Sequence, residues 1–374
     1  MNDPRDHVPA YQTIRVTAPQ APAAAAADEQ AWRARAAYPD LYFAGPVFGV
    51  AREREEGGWA VYPHFSGFAP QDARDNMGSV FRRLAQQAGQ CGDSAAHAEC
   101  MRAAERLDWE ALDELTVVGT RYRVVRAERF IRTGPAGPEP PRPADPGPAD
   151  PGPADPGQAH DVPDPAADFV IDPVTATGMS EGILKAELLA SVYSGAAVPA
   201  DVRDDSARAA RTHPGGVLLP AAFMTAEQIQ GRWRPVDDGT SVTPQDARDG
   251  LALYLRVTVP WQLKLGPEER AVYAAGADRL DAQRPGELEV AGRRFRVVRV
   301  ERLVRVGPDG PEGPRRSDPD PQPPVMVQTQ QLRGQGLLAD EDTDAPIELD
   351  DDAKRFAQLF HEEEERRKTH PEKS

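Results

Sequence analysis

The chain has 374 residues, long enough for more than one domain; 28% charged and 40% hydrophobic residues are ordinary for a globular protein, but 38 prolines are not. No apolar run reaches the roughly eighteen residues of a membrane span, and two cysteines, Cys91 and Cys100, exclude a disulfide scaffold. Of the net charge of −16, residues 139–168 and 314–374 contribute −6 each, so the rest is nearly neutral, and neither a nucleic-acid nor a membrane partner is expected.

The N-terminus, Met1-Asn-Asp-Pro-Arg-Asp-His7, lacks a basic stretch followed by an apolar core, so no signal peptide is expected and a cytoplasmic location fits. Residues 1–9 read as a flexible start. Residues 11–17 alternate and predict a strand, and an alanine-rich helix is expected over about 28–37, ending before Pro39. Val47–Val50 and Trp59–Tyr62 flank Glu55-Glu-Gly-Gly58 and read as a hairpin. Pro70-Gln-Asp-Ala-Arg-Asp75 opens a helix, with proline at the first position and Asp72 in the electropositive first turn. A second helix is expected over about 94–107.

Residues 119–139, Gly-Thr-Arg-Tyr-Arg-Val-Val-Arg-Ala-Glu-Arg-Phe-Ile-Arg-Thr-Gly-Pro-Ala-Gly-Pro-Glu, return at 292–312 with fourteen of twenty-one positions identical. Each copy follows a short apolar run and an X-Gly pair, which predicts a hairpin ended by Gly-Pro. Pro244-Gln-Asp-Ala-Arg-Asp249 repeats residues 70–75, and Trp233 precedes Pro244 by the same interval as Trp59 precedes Pro70. The main departure is an insertion around 178–199 holding an extra helix over 183–192. The chain therefore reads as a tandem duplication of an α+β domain, each copy a mainly antiparallel sheet covered by helices. The expected boundaries are 10–138 for the first repeat and 167–313 for the second.

Between them, residues 139–166 read as a Pro/Ala/Asp/Gly spacer, and residues 314–346 as a second disordered linker. Residues 347–368 predict an amphipathic helix with Leu349, Phe356, Leu359 and Phe360 on one stripe, a candidate docking element for an unknown protein partner. The repeated Pro-Gln-Asp-Ala-Arg-Asp and Arg-Val-Val-Arg-X-Glu-Arg motifs, with Gly-Pro-X-Gly-Pro-Glu, resemble an uncharacterised family of streptomycetes and related actinobacteria. That resemblance implies no activity, cofactor or catalytic residue.

In the signature strand Arg126, Glu128 and Arg132 share one face, as do Arg299, Glu301 and Arg305 in the second copy. They admit two readings. One is an anion-binding face. The other, which is favoured, is a structural network tying these arginines to Asp72 and Asp75 and to Asp246 and Asp249, with Arg74 and Arg248 alongside. Trp59 and Trp233 read as core rather than groove. Cys91, His97 and Cys100 match no standard zinc spacing. Neither nucleophile, phosphate-loop nor metalloprotease motifs occur, so no cofactor is expected and a non-catalytic interaction or regulatory protein is preferred. The alternative is a binder of a small anionic molecule, or an enzyme, with its site between the repeats.

Overall fold

The two signature strands pair with each other at the centre of one sheet. The computed structural model describes residues 9–18, 21–62, 65–146, 169–337 and 350–369. In chain order, α1 (Pro22–Ala37) leads into β1 (Asp40–Glu53) and β2 (Trp59–Val61), then α2 (Pro70–Gln90), α3 (Ser94–Trp109), β3 (Glu114–Val117), β4 (Thr120–Gly134) and the short β5 (Gly137–Pro138). After β6 (Val170–Ile171) come α4 (Met179–Ala190), α5 (Ala200–Thr212), β7 (Gly215–Ile229), β8 (Arg232–Pro235) and α6 (Pro244–Leu253). A π-helical turn at Tyr254–Thr258 joins α6 to α7 (Val259–Gln262). Then follow α8 (Pro267–Gln283), β9 (Glu287–Val290), β10 (Arg293–Gly307), β11 (Gly310–Pro311), α9 (Val325–Gly334) and α10 (Asp351–Thr369). The π turn sits where Pro260, lacking an N–H, cannot continue the α-helical ladder.

The sheet runs β6-β2-β1-β4-β10-β7-β8, with β3 and β5 on β4 and β9 and β11 on β10. Strands β4 and β10 are antiparallel, with Arg129 opposite Arg302. These two positions lie 173 residues apart, the offset of the repeated segment, so equivalent residues face one another as across a two-fold axis. The expected separate sheets are one sheet. Strands β4 and β10 pair along the edges that β1 and β7 leave open, and Val47, Val125, Ala127, Val217 and Val304 form one buried cluster across the junction.

Local chemistry accounts for the flanking elements. In α2, Asp72 accepts the N–H groups of Phe68 at 2.8 Å and Ala69 at 3.0 Å. In α6, Thr243 and Asp246 exchange side-chain to backbone bonds of 3.1 and 3.2 Å, a capping box. The hairpin turns Val118-Gly119, Gln230-Gly231 and Ala291-Gly292 have positive φ at both residues, the tight turn whose twist matches antiparallel strands. Helices α2 and α3 bury Met77, Phe81 and Leu107 with Phe48 and Tyr122 of the sheet. Leu251, Leu255 and Leu280 bury Phe295 on the other half.

Three expectations are corrected. Residues 11–17 form no strand; a 3-10 turn at Ala10–Gln12 and a single bridge, Val16 to Thr177, stand there, because the facing chain turns away into α4. The spacer expected at 139–166 is packed over its first residues, where Asp145 accepts the Arg142 N–H at 2.7 Å and binds Arg299. Likewise residues 314–337 are folded, through Arg315, Asp318 and α9. Residues 147–168 and 338–349 lie outside the described residues.

Candidate functional site

Each Gly-Pro-X-Gly-Pro-Glu turn docks on the opposite half of the molecule. The Glu139 backbone takes an N–H from Arg299 at 2.9 Å, and the Glu312 backbone takes one from Arg126 at 2.9 Å. Arg123 Nη1 donates to the carbonyls of Asp309 and Pro311, and Arg296 Nη1 to that of Pro138. Trp59 and Trp233 close the arrangement. Their indoles lie beside Gly310 and Gly137, respectively, under guanidiniums about 5 Å away, Arg123 at 5.0 Å and Arg296 at 4.8 Å.

Behind each turn lies a buried charge cluster. In the first, Arg126 Nη1 binds Glu128 at 2.9 Å and its Nε binds both Asp318 oxygens at 3.0 and 3.1 Å. In the second, Arg299 binds Glu301 through Nη1 and both Asp145 oxygens through Nε, at 2.9 and 3.1 Å. In both arginines the surrounding carboxylates outweigh burial and hold the guanidinium charged. The sequence reading missed these partners, although the 173-residue offset continues into them. Glu139-Pro-Pro-Arg-Pro-Ala-Asp145 and Glu312-Gly-Pro-Arg-Arg-Ser-Asp318 share Glu, Pro, Arg and Asp at matching positions.

The remaining predicted site residues are engaged elsewhere. Asp72 and Asp246 cap helices. Asp75 and Asp249 accept from Gln71 and Gln245 at 2.8 and 2.7 Å, and the signature arginines Arg126 and Arg299 take Asp318 and Asp145 instead of the expected aspartates. Helix capping takes the aspartates first because they stand on the N-terminal turns, away from the strand face. Arg74 binds Asp113 at 2.8 Å and Asp320 at 2.5 Å, whereas Arg248 donates to the Pro285 carbonyl and Gln245. Arg132 binds Glu187 at 2.8 Å, and Arg305 donates to the carbonyls of Leu189 and Ser191.

The two clusters differ in what covers them. Over the first, Tyr193 donates its hydroxyl to Glu128 at 2.9 Å while its ring stacks on Phe43 at 4.0 Å. Arg315 grips Glu312 with two bonds of 2.7 and 3.0 Å and holds that carboxyl below its ordinary range against the opposing effect of burial. Over the second, Arg142 gives Glu139 one bond of 2.6 Å and turns Nη2 toward Glu301 at 3.3 Å. Burial then prevails and raises the Glu139 carboxyl. Glu301, Arg142 and Arg299 open into a cleft of about 580 Å³ bounded by α1, α4 and the sheet.

Helix α4, the insertion, supplies the cleft's other charged groups. Its N-terminus is fixed by Asp28 of α1, which accepts the Ser180 N–H at 2.8 Å and, through its carbonyl, the Ser180 hydroxyl at 2.8 Å. Glu181 follows directly, and it shares a face with Lys185, one turn further on at i, i+4; both line the cleft. Lys185 is only 4% exposed, and among the described residues its ammonium has no hydrogen bond or ion pair. Burial pulls its pKa down, only partly opposed by the charges of Glu181 and Asp172. Glu181 keeps an exposed surface, and partial desolvation, with the charge of Glu301, raises its carboxyl. Arg132 and Arg35 at the rim are neutralised by Glu187, whose carboxyl they hold low against burial.

Of the expected docking residues, Leu349 lies outside the described residues, and the other three sit on α10, which packs on the chain's own α7 and α8 region. Leu359 is buried, Phe356 meets Trp261 edge-on at 5.3 Å, and Phe356 and Phe360 stack at 6.4 Å with their outer faces exposed. Arg270 binds Glu362 at 2.5 Å, and Trp261 Nε1 donates to the Asp352 carbonyl at 3.0 Å.

Among the described residues no group of three His, Cys, Asp or Glu side chains could hold a metal ion; His97 Nδ1 lies 2.9 Å from the Ala85 carbonyl instead. No described helix is long and apolar enough to cross a membrane. Fold and site together define an α+β protein with one large antiparallel sheet and a polar cleft on one side of its centre. The profile of a family of unknown function, DUF5954, matches residues 21–321, and the chain belongs to that family. No curated protein matches the chain, and no solved structure does.

Proposed function

We propose that the protein binds a small carboxylate-bearing molecule in the cleft between α1, α4 and the sheet. The observation that carries this reading is the inequality of the two charge clusters. The same residues recur in both, yet Tyr193 seals one while, among the described residues, the other faces a cleft of about 580 Å³ that is also lined by Lys185, which has no ion pair there. A partly desolvated ammonium carries a penalty on the order of 1 kcal/mol, which an anionic ligand would reduce. We infer that the two halves descend from one unit, with residues 10–138 and 167–313 as its copies, and that the insertion specialised the second cluster for binding while the first kept a structural role. A protein partner on α10 is the second reading, supported by the exposed outer faces of Phe356 and Phe360.

Calorimetric titration with acetate, glycolate, malonate and phosphate tests the first reading. Binding of at least one carboxylate, weakened tenfold or more (about 1.4 kcal/mol) in Lys185→Met, is the expected result. Absence of binding across the series, or equal affinity in the variant, contradicts it.

A further inference from the structure

We propose that Lys185 captures a carbonyl compound carrying a carboxylate, an oxo acid, as an imine within this cleft. The inference rests on the binding reading above and adds a covalent step to it. Its basis is geometric. Lys185 is nearly enclosed, its remaining surface faces the cleft, and among the described residues no carboxylate lies within ion-pair distance of its nitrogen. Most of its side chain is out of solvent while the nitrogen keeps access to the cleft, and the downward pull of burial on its pKa favours the free amine. Glu181, one turn earlier on the same face, is the nearby acid, and the cleft raises its affinity for a proton. Arg142 and Arg299 also line the cleft, and a ligand carboxylate there would share guanidiniums that already bind Glu139, Glu301 and Asp145.

The step balances without a co-reactant. Glu181 accepts one proton from the ammonium, and the freed nitrogen pair forms the C–N bond while the carbonyl π pair moves to oxygen. A second nitrogen proton passes to that oxygen. The hydroxyl then leaves as water with the proton returned by Glu181, and the nitrogen pair closes the C=N bond. Ammonium plus carbonyl gives iminium plus water, with no change in oxidation state. Ordinary surface lysines provide the internal comparison, because Lys264 and Lys354 expose 67% and 64% of their side chains.

The test is reductive trapping. The full chain is incubated with glyoxylate and sodium cyanoborohydride at neutral pH, and carboxymethyl groups are located by peptide mass spectrometry. Lys185 is expected to be modified at least tenfold faster than Lys264 or Lys354, with protection by excess glycolate and slowing in Glu181→Gln. Modification of Lys185 no faster than the exposed lysines overturns the imine. Calorimetry with glycolate on the same preparation separates the two failures. Glycolate binding without preferential trapping leaves the anion site standing and removes the covalent step, whereas neither binding nor trapping removes both. Because trapping is read on the wild-type chain, a poorly folding variant does not decide the outcome.

Discussion

At the residue scale, Lys185 is buried by the fold with no ion pair among the described residues. Lys185→Met keeps the length of the side chain and removes the desolvated charge, so the ligand-free variant is expected to be more stable by roughly 1 kcal/mol. The sign follows from the lowered folded-state pKa. The wild-type penalty is complete below that value and disappears as pH rises through it toward the ordinary 10.5, so the variant's advantage should shrink at alkaline pH. Chemical denaturation at pH 7 and pH 10 checks this; a variant less stable at both would show the lysine to be structural. Little of this was legible beforehand. Glu181, Leu184, Lys185 and Leu188 do fall on one helical stripe, so the signal existed, but a lysine within Ile183-Leu-Lys-Ala-Glu-Leu-Leu189 reads first as a solvated turn of an amphipathic helix. Arg299 and Glu301 were legible because the repeat preserved them. Their partner Asp145, like Asp318 in the other cluster, was hidden because Pro/Asp-rich composition reads as spacer, and composition is silent about a buried guanidinium elsewhere in the chain.

At the element scale, the repeated turns carry the structural load. A Cβ at Gly310 would lie 2.6 Å from Trp59 Nε1, and one at Gly137 would lie 2.4 Å from Trp233 Nε1; both glycines also have φ above +100°. Gly310→Ala and Gly137→Ala should each cost about 2–4 kcal/mol, through strain and a displaced indole. At Gly119, also left-handed but with open space around it, alanine should cost only about 1 kcal/mol. Equal losses at all three, measured by urea unfolding, would mean that crossed docking contributes nothing. The sequence made these hairpins and their X-Gly turns readable, since turn chemistry is local. It could not show that each Gly-Pro turn serves the other copy, because within one copy the turn has no visible partner. The tail helix behaves similarly. Its stripe predicts docking, while the receiving surface around Trp261 belongs to the second half. Leu359→Ala should expose amides over 351–366 to exchange and leave the β4 and β10 amides protected. Unchanged exchange along α10 would place its stability in its own i, i+4 pairs.

At the scale of the whole molecule, the pairing of β4 with β10 turns two similar sequences into one sheet, and each half alone loses the strand beside its signature strand and the turn that docks on it. The intact chain should therefore unfold in one cooperative transition, and residues 1–168 and 169–374 expressed separately should fail to give dispersed NMR spectra. Two well-resolved calorimetric transitions would contradict this. Similar sequences in tandem suggest beads on a string because sequence similarity reports ancestry; which edge each bead leaves unpaired is decided only when strands are placed side by side. The same placement creates the cleft's inequality, since one insertion must lie against two related clusters and cannot cover both alike.

The claim that this inequality marks a binding site is tested most directly by 13Cε NMR of the five lysines, with the Lys185 signal assigned through Lys185→Met. The account predicts that Lys185 titrates below the other lysines and that its signal alone shifts when glycolate or malonate is added. A Lys185 signal that titrates with the rest and ignores every carboxylate would contradict it.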